Sequence, residues 1–226
     1  LFLDAETGRI ASIDWAMIPV TADIPEAPNV AKDVTRRMAD EAQDNRRAVL
    51  GHSVTTLDAM QNANRTRETN LGDLIAEAYR RATDAEIGLV NGGTIRSDRL
   101  YEPGPITKAD VRAMLPFNNP MVAVELWGRA IRAGIEQGLS KVDAAKGDGR
   151  FLQVAGIKFR YAPERPPGSR LIDIHVGGET LDDRKRYVVA MSRYLADGGD
   201  GYEMFRGARY LVAPEQGLNE ATALMR

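Results

Sequence analysis

The chain has 226 residues, a formal net charge of −2, and 43% hydrophobic and 27% charged residues, an ordinary balance for a globular protein with one substantial core. That charge argues against a bulk nucleic-acid binder, which carries a basic face. With no cysteine there is neither a disulfide framework nor a thiolate metal site, and no apolar run approaches the roughly 20 residues that span a bilayer.

Residues 1 to about 20 read as two short strands around a turn at Thr7-Gly8, ending in Trp15-Ala16-Met17-Ile18-Pro19-Val20. The chain opens at Leu1 inside a strand pattern, without initiator methionine or signal peptide, as an excised piece of a longer protein would. Pro19, Pro25 and Pro28 then punctuate a stretch that suits neither a helix interior nor a central strand, the best linker candidate. From Asn29 as N-cap, Val30, Val34, Met38 and Ala42 recur every four residues and predict a solvated helix with a narrow apolar stripe. It should stop before the strand signal Ala48-Val49-Leu50-Gly51.

The main domain is expected to begin near residue 47. Leu71, Leu74, Ile75, Ala78 and Tyr79 predict an amphipathic helix capped by Thr69 or Asn70. Ile87-Gly88-Leu89-Val90 reads as a short buried strand, Thr107 to Met114 as a short helix, and Val122 to Leu126 as a strand. A second amphipathic helix follows, with Ala130, Ile131, Ile135 and Leu139 inward. After Gly147-Asp148-Gly149, a long strand from Phe151 to Tyr161 is expected to carry a bulge near Gly156. Ile172 to Val176, a Gly177-Gly178 hairpin turn and Tyr187 to Met191 should complete the sheet. The irregular alternation of helices, strands and hairpins gives an α+β fold, a mixed sheet with flanking helices.

Three segments carry candidate chemistry. In Asn91-Gly92-Gly93-Thr94-Ile95-Arg96 two glycines let backbone N–H groups approach a ligand, while Arg96 offers a planar fork for phosphate oxygens; alone, the string reads as well as a glycine turn beside a solvated arginine. Leu115-Pro116-Phe117-Asn118-Asn119 places a ring in a turn. Tyr194 follows a buried run that makes core packing a rival role, and Asp200 stands in Gly198-Gly199-Asp200-Gly201, where its carboxylate suits a ribose diol or a plain Asp-Gly turn. Upstream, Arg65 is a second cation whose convergence with Arg96 sequence does not reveal. There are only two histidines, His52 and His175, and none of the DxH, GDxxD, GNHE and GHxH strings of two-metal phosphoesterases is recognised; His175 alternates onto the solvent face of its strand.

In order and spacing, these segments resemble the C-terminal, substrate-binding domain of the 5′-nucleotidases over residues 48 to about 206. The resemblance implies phosphate-side roles for Arg65, Asn91 and Arg96. It implies a base sandwiched by Phe117 and Tyr194 (Phe in other members), base contacts from Asn119 and Gly149, and a ribose contact from Asp200. Some members carry an arginine where this chain has Gln61. Residues 1–28 resemble the tail of the N-terminal metallophosphatase domain with its linker, 29–46 the interdomain helix, and 47–226 the nucleotide-binding domain. The family implies a nucleoside 5′-phosphate or nucleoside as partner, no nucleic acid and a periplasmic or extracellular location. It also implies no cofactor in this chain, and two divalent metals in the N-terminal domain of the same polypeptide. Related hydrolases of cyclic nucleotides, nucleotide sugars or sulfur esters, and a nucleoside-binding module without a catalytic partner, are the alternatives.

Overall fold

The computed structural model describes residues 2–4, 6–19, 21–142 and 147–226; Leu1 and Val20, both read as strand residues, lie outside them. The chain forms two compact units, residues 1–42 and 43–226.

In the first unit, β1 (Phe2–Leu3) and β2 (Ile10–Ser12) pair antiparallel around the Thr7-Gly8 turn. Trp15, Met17 and Ile18 lie exposed outside any strand. Helix α1 (Pro28–Arg47) begins one residue before the expected cap. Proline is suited to a first helical position, because its fixed φ and missing N–H cost nothing there. Asn29 is thus inside the first turn, and the Ala31 N–H donates to Ala27. Val30, Val34 and Met38 form the expected stripe, all exposed.

The second unit opens with β3 (Val49–Ser53), β4 (Leu57–Asp58), the short helix α2 (Gln61–Thr66) and α3 (Asn70–Ala82). Thr69 caps α3, its hydroxyl accepting from the Gly72 N–H. Leu71, Ile75 and Tyr79 point inward as their spacing predicts, whereas Leu74 is 46% exposed and Ala76 takes its place in the core. Strand β5 (Ile87–Asn91) runs straight into a 3₁₀ turn at Gly92–Thr94. After β6 (Leu100–Tyr101) and β7 (Gly104–Thr107), a Thr107/Asp110 capping box starts α4 (Lys108–Met114). Then come β8 (Met121–Trp127) and α5 (Gly128–Leu139).

The long strand expected from Phe151 to Tyr161 is two strands in two sheets, β9 (Leu152–Ala155) and β10 (Ile157–Tyr161). Gly156 (φ +72°) makes the break rather than a bulge, and a Cβ there would meet the Glu86 carbonyl oxygen at 2.0 Å. β10 pairs with β11 (Leu171–Val176), and Gly177-Gly178 turns β11 back onto β12 (Glu179–Thr180). β13 (Arg186–Ser192), which holds Tyr187 to Met191, therefore joins the other sheet and not this hairpin. The chain closes with α6 (Arg193–Ala196), β14 (Arg209–Val212) and α7 (Glu220–Leu224).

The central sheet has the order β14-β8-β13-β5-β9, with β13 and β5 parallel and its other pairs antiparallel. Its period of two sends Ile87, Leu89, Val122, Val124, Val189 and Met191 to one face, where they pack with Ile131 and Ile135 of α5. Val90, Met121 and Ala190 face the other way, against Leu71, Ile75 and Tyr79 of α3. Both faces are covered, so these strands read as continuous apolar runs rather than alternating ones. The mixed sheet with flanking helices is the α+β fold expected.

Candidate functional site

A cleft of about 340 Å³ opens at the end of β5. Arg65, Asn91, Gly93, Thr94, Arg96, Phe117, Asn119, Asp148, Gly149, Tyr194 and Asp200 line it. All eight residues singled out in the sequence are among them, gathered from segments up to 135 positions apart.

Arg65 is delivered by α2, a helix held from below by one buried amide. Gln153 of β9 accepts from the Thr69 N–H at 3.0 Å and donates to the Asn64 and Arg67 carbonyls at 3.0 and 2.7 Å. Arg65 donates to Gln61 Oε1 at 3.1 Å, and its Nε is buried without a partner. A buried donor without a partner is uncommon and marks Arg65 out among the residues lining the cleft. Gln61 also donates to the Arg96 carbonyl at 3.4 Å, and so ties the two cation-bearing segments together. The exposed Arg96 guanidinium lies 4.9 Å from the Phe117 ring centroid, a cation–π arrangement.

The two glycines of Asn91-Gly92-Gly93 serve packing rather than ligand approach. The Gly92 N–H donates to the Phe151 carbonyl at 2.7 Å and the Gly93 N–H to Gly149 at 2.8 Å, so neither amide is free for a ligand. A Cβ on Gly92 would lie 1.9 Å from the Asn64 carbonyl oxygen. Glycine is needed because α2 presses its backbone onto this turn.

Asp200 sits in the left-handed region (φ +55°) and is bracketed on both carboxylate oxygens. The Tyr194 hydroxyl donates to Oδ1 at 2.8 Å and Asn91 Nδ2 to Oδ2 at 2.8 Å. The Asp200 N–H returns a bond to the Tyr194 hydroxyl at 3.1 Å, and Gln137 holds the Asp200 carbonyl at 2.9 Å. Each carboxylate oxygen keeps a further acceptor site. Partial burial and the adjacent carboxylate raise the Tyr194 hydroxyl above its ordinary pKa, so it stays a donor. Its ring lies against Gly199, where a Cβ would come within 2.4 Å. Phe117 and Tyr194 are 47% and 44% exposed, unusual openness for two rings on one cleft.

Asn119 donates to Glu220 Oε2 at 3.1 Å. Glu220 is 1% exposed, and neither it, Gln137 nor Gln153 was singled out in the sequence. Glu220 belongs to a five-residue helix twenty positions past the last recognisable segment, with no local pattern to mark it.

Among the described residues no group of three or more His, Cys, Asp or Glu side chains is placed to hold a metal ion. The chain does contain one Asp-x-His spacing, Asp173-Ile174-His175. Its two side chains share a face of β11 with Nε2 3.8 Å from Oδ1, and Asp173 is already engaged by Arg160. His52 lies on β3, in a different sheet.

The model of the family "5′-nucleotidase, C-terminal domain" matches residues 49–207. A trifunctional nucleotide phosphoesterase of Bacillus subtilis is 31% identical over 204 residues, 86% of this chain and 14% of that protein. A snake venom 5′-nucleotidase of Macrovipera lebetinus is 31% identical over 222 residues, 89% of this chain and 54% of its own length. The chain therefore spans about half, or much less, of these curated relatives. Among solved structures, a 5′-nucleotidase precursor of Thermus thermophilus superposes with a TM-score of 0.76 at 30% identity, covering 87% of this chain and 39% of that one. The chain belongs to the 5′-nucleotidase C-terminal domain family.

Proposed function

We propose that this chain is the substrate-recognition part of a 5′-nucleotidase, binding the base, ribose and phosphate of a nucleoside 5′-phosphate. Phe117 and Tyr194 take the base, with Asn119 and Gly149 at its edge. Asp200 accepts from the ribose hydroxyls, and Arg65, Asn91 and Arg96 stand on the phosphate side, with Asn91 also steadying Asp200. The observation that carries this reading is the lining of one cleft by open aromatic faces, an acceptor carboxylate and two arginines, one with an unpaired buried nitrogen. These are the three chemistries that a nucleotide presents.

On this reading residues 1–28 are the tail of the metallophosphatase domain, 29–46 the interdomain helix and 47–226 the recognition domain. The described residues do not suit a metal, so hydrolysis is assigned to the N-terminal domain of the full polypeptide and its two divalent ions. This chain's contribution is to hold the substrate in place. The parent would work outside the cytoplasm, in the periplasm or secreted.

Calorimetry with adenosine and AMP tests the assignment. Arg96→Ala should weaken AMP by about 1.5–3 kcal/mol, the range for a hydrogen bond to a charged group. It should weaken adenosine by no more than about 0.5–1 kcal/mol, the share of the lost cation–π contact with Phe117. Equal losses for both ligands would remove Arg96 from the phosphate.

A further inference from the structure

Glu220 is a buried carboxylate outside the residues matched by the family model, and it touches the cleft through Asn119. Four contacts besides that side-chain bond fasten the segment around Glu220 to the loop carrying Asn119. The Glu220 N–H donates to the Asn119 carbonyl at 3.1 Å, Met121 N–H donates to Leu218 at 2.7 Å, and Pro120 bridges to Asn219. Asn219 also donates to Asn118 Oδ1. A carboxylate can only accept, and an amide presents a donor at one end and an acceptor at the other.

Geometry makes Glu220 the acceptor in this contact, with Asn119 Nδ2 donating to its Oε2 at 3.1 Å. Burial pushes its carboxyl above the ordinary carboxylate range, and the donors around it, from the side chain and backbone of Asn119, from Thr94 and from the nearby Tyr79 hydroxyl, oppose that push only in part. The Tyr79 hydroxyl lies beside the carboxylate outside well-directed hydrogen-bond geometry. Every one of these neighbours offers a donor. The Asn119 amide must therefore give its nitrogen to Glu220, and its oxygen turns away.

We propose that Glu220 is a positioning residue that aims the Asn119 carbonyl oxygen at the base, making the cleft selective for a nucleobase that presents an N–H donor on the edge facing Asn119. This rests on the base-binding reading of the cleft.

The probes are adenosine, which has a 6-amino donor, and purine riboside, which has the same ring and ribose but no N–H on its base. Binding to the whole 226-residue chain is followed by calorimetry. Wild type should prefer adenosine by about five- to tenfold, the share of one hydrogen bond. Glu220→Leu removes the acceptor and frees the amide to rotate, so the preference should fall to less than about twofold while purine riboside binding stays unchanged. Glu220→Gln keeps the volume and one acceptor but sets an N–H among donors, so its preference should fall part of the way.

A wild-type preference retained in these variants, or in Glu220→Gln alone if Glu220→Leu loses its cooperative melting transition, overturns the proposal. So does equal binding of the two nucleosides by wild type, which leaves the base-binding reading intact. Failure of wild type to bind either nucleoside overturns that reading, and this inference falls with it.

Discussion

Tyr194 contributes a ring to the cleft wall and a hydroxyl to Asp200, and the two contributions are separable by mutation. Tyr194→Phe keeps the ring but removes one donor from the carboxylate and one acceptor from the Asp200 N–H. Asp200 holds a left-handed backbone with that help, so the variant should lose about 0.5–1.5 kcal/mol of adenosine binding. Phe117→Ala removes a whole stacking face and should cost about 1–3 kcal/mol. Calorimetry with adenosine ranks the two; a Tyr194→Phe loss larger than that of Phe117→Ala would mean that the bracketing of Asp200 outweighs the rings. Residue types in turn segments were legible because rings, amides and charges do not sit by accident beside paired glycines. The purpose of those glycines was not legible. Whether a backbone N–H meets a ligand or a neighbouring carbonyl depends on β9 and α2, which are distant in sequence. Glu220 was invisible for the same reason, since its partners Asn119, Thr94 and Tyr79 come from three other elements.

At the scale of elements, α3 and α5 followed their 3.6-residue periodicity, and the strands were recognisable as apolar runs. Leu74 broke the pattern because it fronts a shallow apolar groove with Leu50, Val54 and Leu224 instead of the core. Gly156 was seen as an irregularity, yet assigning β9 and β10 to different sheets depends on the Glu86 carbonyl pressing on it, a tertiary fact. The first turn of α3 also carries a titration. Burial, the like charge of Glu68 and a hydrogen bond to Glu68 push Asp73 from 3.8 up to about 7. The folded state thus binds this proton more tightly than the unfolded state does. Its stabilising contribution is complete below about pH 4 and is lost as pH rises toward 7. Asp73→Asn removes the dependence and supplies a permanent donor to Glu68. The variant should therefore gain on wild type as pH rises across this window, by about 1 kcal/mol once the half-exposed setting is discounted. Denaturant midpoints at acid and neutral pH measure the difference, and parallel profiles for the two proteins would contradict it.

At the scale of the whole molecule, the chain pairs a well-furnished cleft with no cluster of metal ligands among its described residues. Its two histidines lie on strands of different sheets, and the carboxylate nearest His175 is engaged by an arginine. The chain spans 14% and 54% of the two curated relatives described above, and the proposed reading gives recognition to this chain and hydrolysis to another part of a longer polypeptide. The expected outcome is binding without turnover. AMP should raise the melting temperature of this chain as its concentration passes the dissociation constant, because a ligand held only by the folded state stabilises it by mass action. Phosphate release from the same AMP should stay at the buffer rate with manganese, cobalt or zinc added. The separation would be refuted by metal-dependent phosphate release that survives repurification and disappears in Asp200→Ala, because turnover that depends on this cleft would then belong to the chain itself.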